Sequence, residues 1–408
     1  MKRIFDPIHH FIELDDREVA LLDAAPMQRL RRLRQLGLAY LAFPAAEHSR
    51  FSHALGALAT GERVFESLRR HDEGYFKDER DYSEQRRLLR VSLLLHDIGH
   101  GPFSHACEAV LGIQHEERTK AILALPEISL AIEQTGLDIA RVTELITGNS
   151  ATPYPVLREL VSGPNLDSDR MDYLLRDAYF TGVVNGRYDS DQLIGSLRVL
   201  DRGGSPVLGV DSRGLVALES FLLARYMMFS TVYFHHTTRQ YERTLQEALR
   251  FVWPDPRDLD PVETFLAWDD FRVLDAMRTS TDRFGTAIRN RNSLYALVAE
   301  FNAEADSQAF QECYAQLRAR YGDAVWADSQ EQLMHRIPLV ITGTSPTVLV
   351  QTRAGTVDAR EASDLIRRIT GKVLWRKLFL ERRATIDLAE ARRLASGRGA
   401  GLRQGPSS

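Results

Sequence analysis

The stretch "VSLLLHDIGHGPFSH", Val91 to His105, places three histidines and one aspartate behind an apolar run and around two glycines and a proline. The apolar run, with "SEQRRLLR" before it, has the pattern of a helix buried at its end. Gly99, Gly101 and Pro102 stop that helix. His96 and Asp97 are neighbours, so on a helix they point about 100° apart and share an ion only if it lies between their directions. Such an ion needs ligands from other helices. His53 is one candidate, and "LDSDRMDY" offers Asp167, Asp169 and Asp172.

Seven of the 12 histidines, at 48, 53, 71, 96, 100, 105 and 115, fall between residues 48 and 115. A lone His-Asp pair is best explained as a helix end with a solvated carboxylate. With His100, His105 and a Gly-Pro turn behind it, a metal is the better explanation. Two imidazoles and two carboxylates make a mixed nitrogen and oxygen site. It suits Mn, Fe, Co, Ni or Zn, and Mg less well. Remaining positions are open to water, as hydrolysis requires.

The rest of the chain sets limits. Its 408 residues are enough for one large domain and a smaller one. Hydrophobic residues make up 44% and charged residues 26%, as in ordinary globular proteins. The net charge of −4 gives no basic field, so no nucleic-acid partner is expected. Cys107 and Cys313 form no metal motif and are expected to be inert buried thiols. The start "MKRIFDPIHHFIELDD" has no apolar signal-peptide core. No apolar stretch approaches the roughly 20 residues that span a membrane. The expected location is therefore cytoplasmic.

Along the chain, residues 1–15 predict a short extended or turn segment. From Asp16 the pattern is helical, and "PMQRLRRLRQLG" predicts a helix ending at Gly37. "SRFSHALGALATGERVFESLRR" predicts the next helix, and "DRMDYLLRDAYFTG" another. The first strand-like pair is "SLRVL" and "PVLGVDSRG", a hairpin. One long helix is expected from "LVALESFLLARYMMF" through "RTLQEALRFV". Helical patterns continue to about residue 322. "RIPLVITGTSPTVLVQTRAG" predicts a second β element and "DAREASDLIRRIT" a helix, and the Gly- and Ser-rich end predicts disorder.

The order His53, His96-Asp97, Asp169 resembles the H…HD…D signature of the HD-superfamily metal-dependent phosphohydrolases. "DPIHHFIELDD", "PMQRLRRLRQLG", "HSRFSHALG", "HDIGHGPFSH", "HEE", "SDRMDYLLRDAYFTG" and "VYFHHT" are similar to the dNTP triphosphohydrolases of that superfamily over about residues 4–240. The resemblance implies a mainly α fold: an HD-domain helical core over 1–255 with a small β-hairpin, a smaller C-terminal α+β part over 256–395, and a tail over 396–408. It implies His53, His96, Asp97 and Asp169 as ligands of a divalent metal. His100, His105 and His115 then surround the α-phosphate, with His105 the general acid and Glu116 orienting His115. Glu108 stands where the family usually has aspartate. Arg50, Arg170 and Arg225 match phosphate-binding positions. Gln35 and Asp177 would bond the 3′-OH, Leu36 and Tyr233 would crowd C2′, and Tyr173 would line the pocket.

The same resemblance implies hydrolysis of dNTPs to deoxynucleoside and triphosphate. The rivals are an HD phosphohydrolase acting on a monophosphate or signalling nucleotide, and a non-catalytic nucleotide-sensing scaffold. The intact ligand set and the histidines His105 and His115 argue against a scaffold. Asp23, Gln28 and Arg31 match half of an activator site for GTP or dGTP. In "HRIPLV", residues 335–340, only Arg336 is left of the basic residues the family brings there. Asp191, Gly195 and Asp211 stand where a second activating nucleotide would need basic or aromatic groups. The expectation is a homo-oligomer, dimer or tetramer, activated by at most one guanine nucleotide.

Overall fold

The computed structural model describes residues 1–148, 153–301, 306–329, 348–369 and 375–396, with only the backbone of Glu73 and His105. The fold is mainly α. Two long helices, Arg50–His71 and Glu79–Leu95, pack against each other, and helix Ser168–Thr181 packs on the first of them. Each starts on a side-chain cap: Ser49 on Ser52 N, Asp78 on Asp81 N, and Asp167 on Arg170 N. Helix Glu79–Leu95 buries every residue from Leu88 to Leu95 and stops at His96. The chain then runs through short turns, Ile98 N to Leu95 O, His100 N to Asp97 O and Ser104 N to Gly101 O, before helix His105–Leu111.

Gly99 explains part of that path. A Cβ there would lie 2.2 Å from His115 O and 2.5 Å from Thr119 N. Its absence lets helix His115–Leu123 lie directly against the turn.

Among the described residues, three apolar clusters fill the interior. The largest joins Ile12, Leu14, Leu58, Leu94, Leu174 and Phe221 with Val350 and Trp375. A second, with Leu38, Phe103, Cys107, Tyr241, Trp253 and Val273, sits behind the 96–105 turns. A third, with Val298, Phe310, Leu317 and Leu378, lies under a small sheet. That sheet has Arg376–Glu381 at its centre, antiparallel to Tyr295–Phe301 and to Val325–Ser329. The predicted hairpin is present as Leu197–Arg202 and Ser205–Asp211, turning at Gly203 and Gly204, both at positive φ. Its second strand pairs in parallel with Leu349–Thr352, which pairs with Gly355–Asp358.

Several expectations are corrected. Residues 1–15 form an earlier hairpin, Lys2–Asp6 with His10–Leu14, which buries Ile12 and Leu14 and leaves Phe5 and Phe11 outside. The "PMQRLRRLRQLG" helix ends at Arg29 and tightens into a 3₁₀ turn at Leu30–Arg32. Beyond it, Arg34 N donates to Asp270 and Gln35 N to His48 O, so tertiary partners pull the chain out of the helix. The long helix is broken. Leu215–Met228 passes into a π turn at Phe229–Tyr233, and a new helix, His236–Val252, starts on the His235 cap.

Tyr295–Phe301 is a strand where a helical pattern was expected, because a short apolar run does not distinguish the two. "DAREASDLIRRIT" gives two short helices interrupted at Ser363. Ser212–Tyr233 is, against expectation, 22 residues long with mean hydropathy 1.4, enough by length and composition to cross a membrane. Ala217, Leu218, Phe221, Leu222 and Met228 in it are nevertheless packed in the protein core, along with a buried Arg225. The residues 335–340 and the 397–408 tail lie outside the described residues.

Candidate metal centre and hydrolytic site

Three helices converge on His53. It sits on the first turn of Arg50–His71 with no exposed side-chain area. Its Nε2 lies 2.9 Å from Asp169 Oδ1, 3.3 Å from His96 Nε2 and 3.9 Å from Asp97 Oδ2. His96 Nε2 lies 3.5 Å from Asp97 Oδ1 and 3.9 Å from Asp169 Oδ1. All four residues expected as ligands are therefore brought together. One atom from each of His53, His96 and Asp169 falls within 4.8 Å of the others, a spacing that can hold one ion. Asp169 is the most exposed of the four, at 34% of its side chain, and marks the open side.

The remaining nitrogens of the two imidazoles are held as metal ligation requires. His96 Nδ1 meets Leu93 O at 2.7 Å, and His53 Nδ1 meets Asp172 Oδ2 at 2.8 Å. Burial works against a proton on His53, but Asp169 and Asp172 outweigh it and raise the imidazole to about 10. A cation at Nε2 would meet Asp169 there while Nδ1 keeps its bond to Asp172, so the donor set fits a divalent metal. Asp97 is held well below the ordinary carboxylate range: burial opposes this, and Arg50 with the neighbouring imidazoles prevails.

Asp172 is itself fixed. It takes His9 Nε2 at 2.7 Å, Arg176 Nε at 2.8 Å and Arg176 Nη2 at 2.9 Å, and Arg176 reaches Asp6 at 2.8 Å. Gly56 makes room: a Cβ there would lie 2.0 Å from Asp172 Oδ1. Of these residues the sequence singled out only Asp172, as one of three aspartates. The missed signal was the spacing of Asp169, Asp172 and Arg176, which puts them on one helix face.

Beside the centre lies a second group, His100, Glu108 and His115. The two imidazoles stack, with centroids 4.1 Å apart and planes at 14°. His115 Nδ1 is 2.9 Å from Glu108 Oε1 and 3.5 Å from Glu116 Oε2. The expected orienting residue, Glu116, is thus the farther of the two, and the longer side chain of Glu108 spans the gap. Burial pushes His100 down, and Arg50 and His115 add to it. Burial also opposes a proton on His115, but the Glu108 hydrogen bond wins and raises it. The two stacked imidazoles are therefore pushed in opposite directions, a split of the kind proton transfer uses. Asp97 joins the two groups, since its Oδ1 is also 3.3 Å from His100 Nε2. His105 begins its helix directly after Ser104, whose φ of 55° is strained. The His105 side chain lies outside the described residues.

Arg50 donates to Asp97 and, at 2.9 and 2.6 Å, to Ser104 Oγ. Arg170 is held by Asp167 and Gly163 O. Arg225 is buried beside Tyr173, Arg170 and Tyr233, and burial lowers it to about 10. Tyr233 packs edge-on against Tyr173 and donates to Asp177 Oδ2 at 2.7 Å, while His48 Nε2 holds Asp177 Oδ1 at 2.7 Å. His48 was missed as a site residue. Gln35 Oε1 is buried with no hydrogen-bond partner among the described residues, and Leu36 is half-buried against the main core.

Asp23 is exposed, 3.8 Å from Lys2. Gln28 accepts from Arg31, whose guanidinium lies 3.5 Å over the Phe51 ring. Asp191 pairs with Arg63, Gly195 is open, and Asp211 caps Arg213. Both cysteines are buried and neither is in a disulfide, and burial pushes Cys107 up to about 12.

Residues 50–152 match the HD domain and residues 188–377 the HD associated region. An uncharacterized protein of Methanocaldococcus jannaschii is 34% identical over 298 residues, 73% of this chain and 60% of that protein. The deoxynucleoside triphosphate triphosphohydrolase SAMHD1 homolog of Dictyostelium discoideum is 28% identical over 333 residues, 75% of this chain and 61% of that protein. The chain thus spans between about half and three fifths of the curated relatives it matches. A crystal structure of a hypothetical protein from Aquifex aeolicus superposes with a TM-score of 0.81 at 31% identity, covering 96% of this chain and 99% of that one.

Proposed function

The chain belongs to the HD-domain phosphohydrolases, and on that footing we propose that it hydrolyses deoxynucleoside triphosphates to deoxynucleoside and triphosphate. The observation that supports this is the junction at Asp97, whose Oδ1 lies 3.5 Å from His96 in the metal group and 3.3 Å from His100 in the imidazole group. A metal-ligand set and a proton-transfer pair thus share one edge, on which a phosphorus ester fits.

A divalent cation held by His53, His96, Asp97 and Asp169 would supply a Lewis acid and lower the pKa of a water for hydrolysis. The chain's residues do the rest. Arg50, Arg170 and Arg225 hold the triphosphate. The histidine group, His100, His105 and His115, gives a proton to the departing 5′-oxygen, so the triphosphate leaves intact. Gln35 and Asp177 bond the 3′-OH, and Leu36 with Tyr233 closes the space a 2′-OH would need. Asp23, Gln28 and Arg31 belong to an activator surface for at most one guanine nucleotide, in a dimer or tetramer.

The test is incubation of each dNTP with Mn, Fe, Co, Ni, Zn and Mg, with products separated by anion exchange. Deoxynucleoside and triphosphate are expected, with label from ¹⁸O-water in the triphosphate. Pyrophosphate, orthophosphate or label in the deoxynucleoside would reject the reading. Turnover of a monophosphate or signalling nucleotide alone would favour another HD phosphohydrolase.

A further inference from the structure

The 96–105 turns are fastened from outside the HD domain. Trp268, Asp269 and Asp270 lie in the HD associated region. The Asp270 side chain is fully buried. Its Oδ1 accepts from Phe103 N at 2.9 Å, and its Oδ2 accepts from Arg34 N at 2.9 Å. Phe103 stands at φ 54° and Ser104 at φ 55°, so two successive residues hold a conformation that their side chains disfavour. Next to this, the buried Arg29 donates from Nε to Trp268 O and from Nη1 to His100 O, both at 2.8 Å. Arg34 directly precedes Gln35 and Leu36, and Gln35 N pairs with His48 O.

We infer that Asp270 is a positioning residue that couples the two halves of the site, holding the loop that carries His96, Asp97, His100 and His105 in register with the Gln35–Leu36 segment. One carboxylate touches both through backbone amides. The charge matters as well as the shape. Only a carboxylate offers an acceptor to each amide, whereas the isosteric amide of Asn has one acceptor and must turn a donor toward the other N–H. The Trp268 carbonyl, through Arg29, adds a third fastening at His100. Asp270 and the Trp268 carbonyl thereby act on turnover without touching the nucleotide.

This inference rests on the proposed dNTP reading, and the test keeps the two apart. Asp270→Asn is compared with wild type and with Asp269→Asn. Asp269 caps Arg272 N and pairs with Arg32 at the surface, and asparagine is as good a cap. Metal content, kcat, KM and the dGTP/GTP rate ratio are measured, with hydrogen exchange at residues 32–37 and 99–105. A misplacement of about 1 Å costs on the order of a hundredfold in rate. Asp270→Asn is therefore expected to keep its metal, lose about tenfold to a hundredfold in kcat per metal-bound site, narrow the dGTP/GTP ratio, and exchange faster in both segments. Asp269→Asn should match wild type in all of them.

Wild-type kcat and dGTP/GTP ratio in Asp270→Asn overturn the inference, as does an equal loss in Asp269→Asn. If Asp270→Asn does not fold, Arg29→Lys is read the same way, and wild-type values there overturn it. If wild type turns over no dNTP, the functional reading fails, and the exchange data alone decide: unchanged protection in Asp270→Asn overturns the inference.

Discussion

His53 Nδ1 lies 2.8 Å from Asp172 Oδ2, on the side of the imidazole away from Asp169. The ring is thus fixed with Nε2 toward the candidate metal position, and the carboxylate raises its basicity. Orienting partners of this kind are worth about tenfold to a hundredfold in metal affinity. Asp172→Asn should bind Mn or Zn more weakly by about that factor while remaining folded, whereas Asp97→Ala should lose both metal and activity. Metal titration followed by elemental analysis checks both. Unchanged affinity in Asp172→Asn removes the orienting role.

Gly56 tests the same partner from behind. A Cβ would stand 2.0 Å from Asp172 Oδ1 and 2.2 Å from Arg176 Nη2, inside a network with no spare volume. Gly56→Ala gains helix propensity and would be stabilising on an open helix face. Here the clash should reverse the sign, destabilising by roughly 1–3 kcal/mol and lowering metal content. Denaturant unfolding gives the first quantity, and a more stable variant with full metal would contradict the packing.

The Glu108–His115 pair predicts a pH effect. Burial alone would drive the proton off His115, and the Glu108 hydrogen bond holds it above the ordinary 6.5. As a proton donor His115 works below its pKa, so activity should fall as pH rises through that raised value. Glu108→Gln removes the charge that raises it. The basic limb of the kcat profile should then move to lower pH, and Glu108→Asp should restore only part of the shift, because its shorter arm does not span 2.9 Å from the same backbone position. A limb that stays in place in Glu108→Gln assigns the proton to another group.

Tyr233 donates to Asp177 across the proposed sugar pocket, and both residues are pinned, one by Phe229 and Tyr173, the other by His48. A wall held from two sides does not yield to an extra hydroxyl. Tyr233→Ala should narrow the dGTP/GTP rate ratio, and Tyr233→Phe should keep most of it, since the ring and not the hydroxyl fills the space. Rates with both nucleotides measure this. Equal rates with dGTP and GTP in wild type would discard the assignment.

Much of the centre was legible in the sequence because its members are set by local rules. The helix ending at Leu95, the turn residues after it, and the Asp167-capped helix carrying Asp169 follow from periodicity, caps and breakers, which act over a few residues. The hairpin at Gly203–Gly204 is of the same kind. The order of the ligand candidates His53, His96, Asp97 and Asp169 could be read because it is a sequence of residue types. What local rules misjudged was continuity. "PMQRLRRLRQLG" has helical periodicity throughout, yet leaves the helix after Arg32 because Asp270 and His48 take its amides. The 215–252 helix breaks at the π turn Phe229–Tyr233, which carries the pocket candidate Tyr233.

The sequence by itself determined the helices, their ends and the kinds of group they carry, since these depend on neighbours a turn apart. Only the tertiary structure decided which carboxylate serves which imidazole. Asp169 and Asp172 are both one turn of helix from the same face, and the sequence does not say that the first meets Nε2 of His53 and the second Nδ1. Nor does it say that Glu108 reaches His115 ahead of Glu116, or that Asp270 comes from 167 residues away to fasten Phe103. Hydrogen bonds of under 3 Å are fixed by how whole helices pack, and packing is a property of three-dimensional volume that no spacing along the chain encodes.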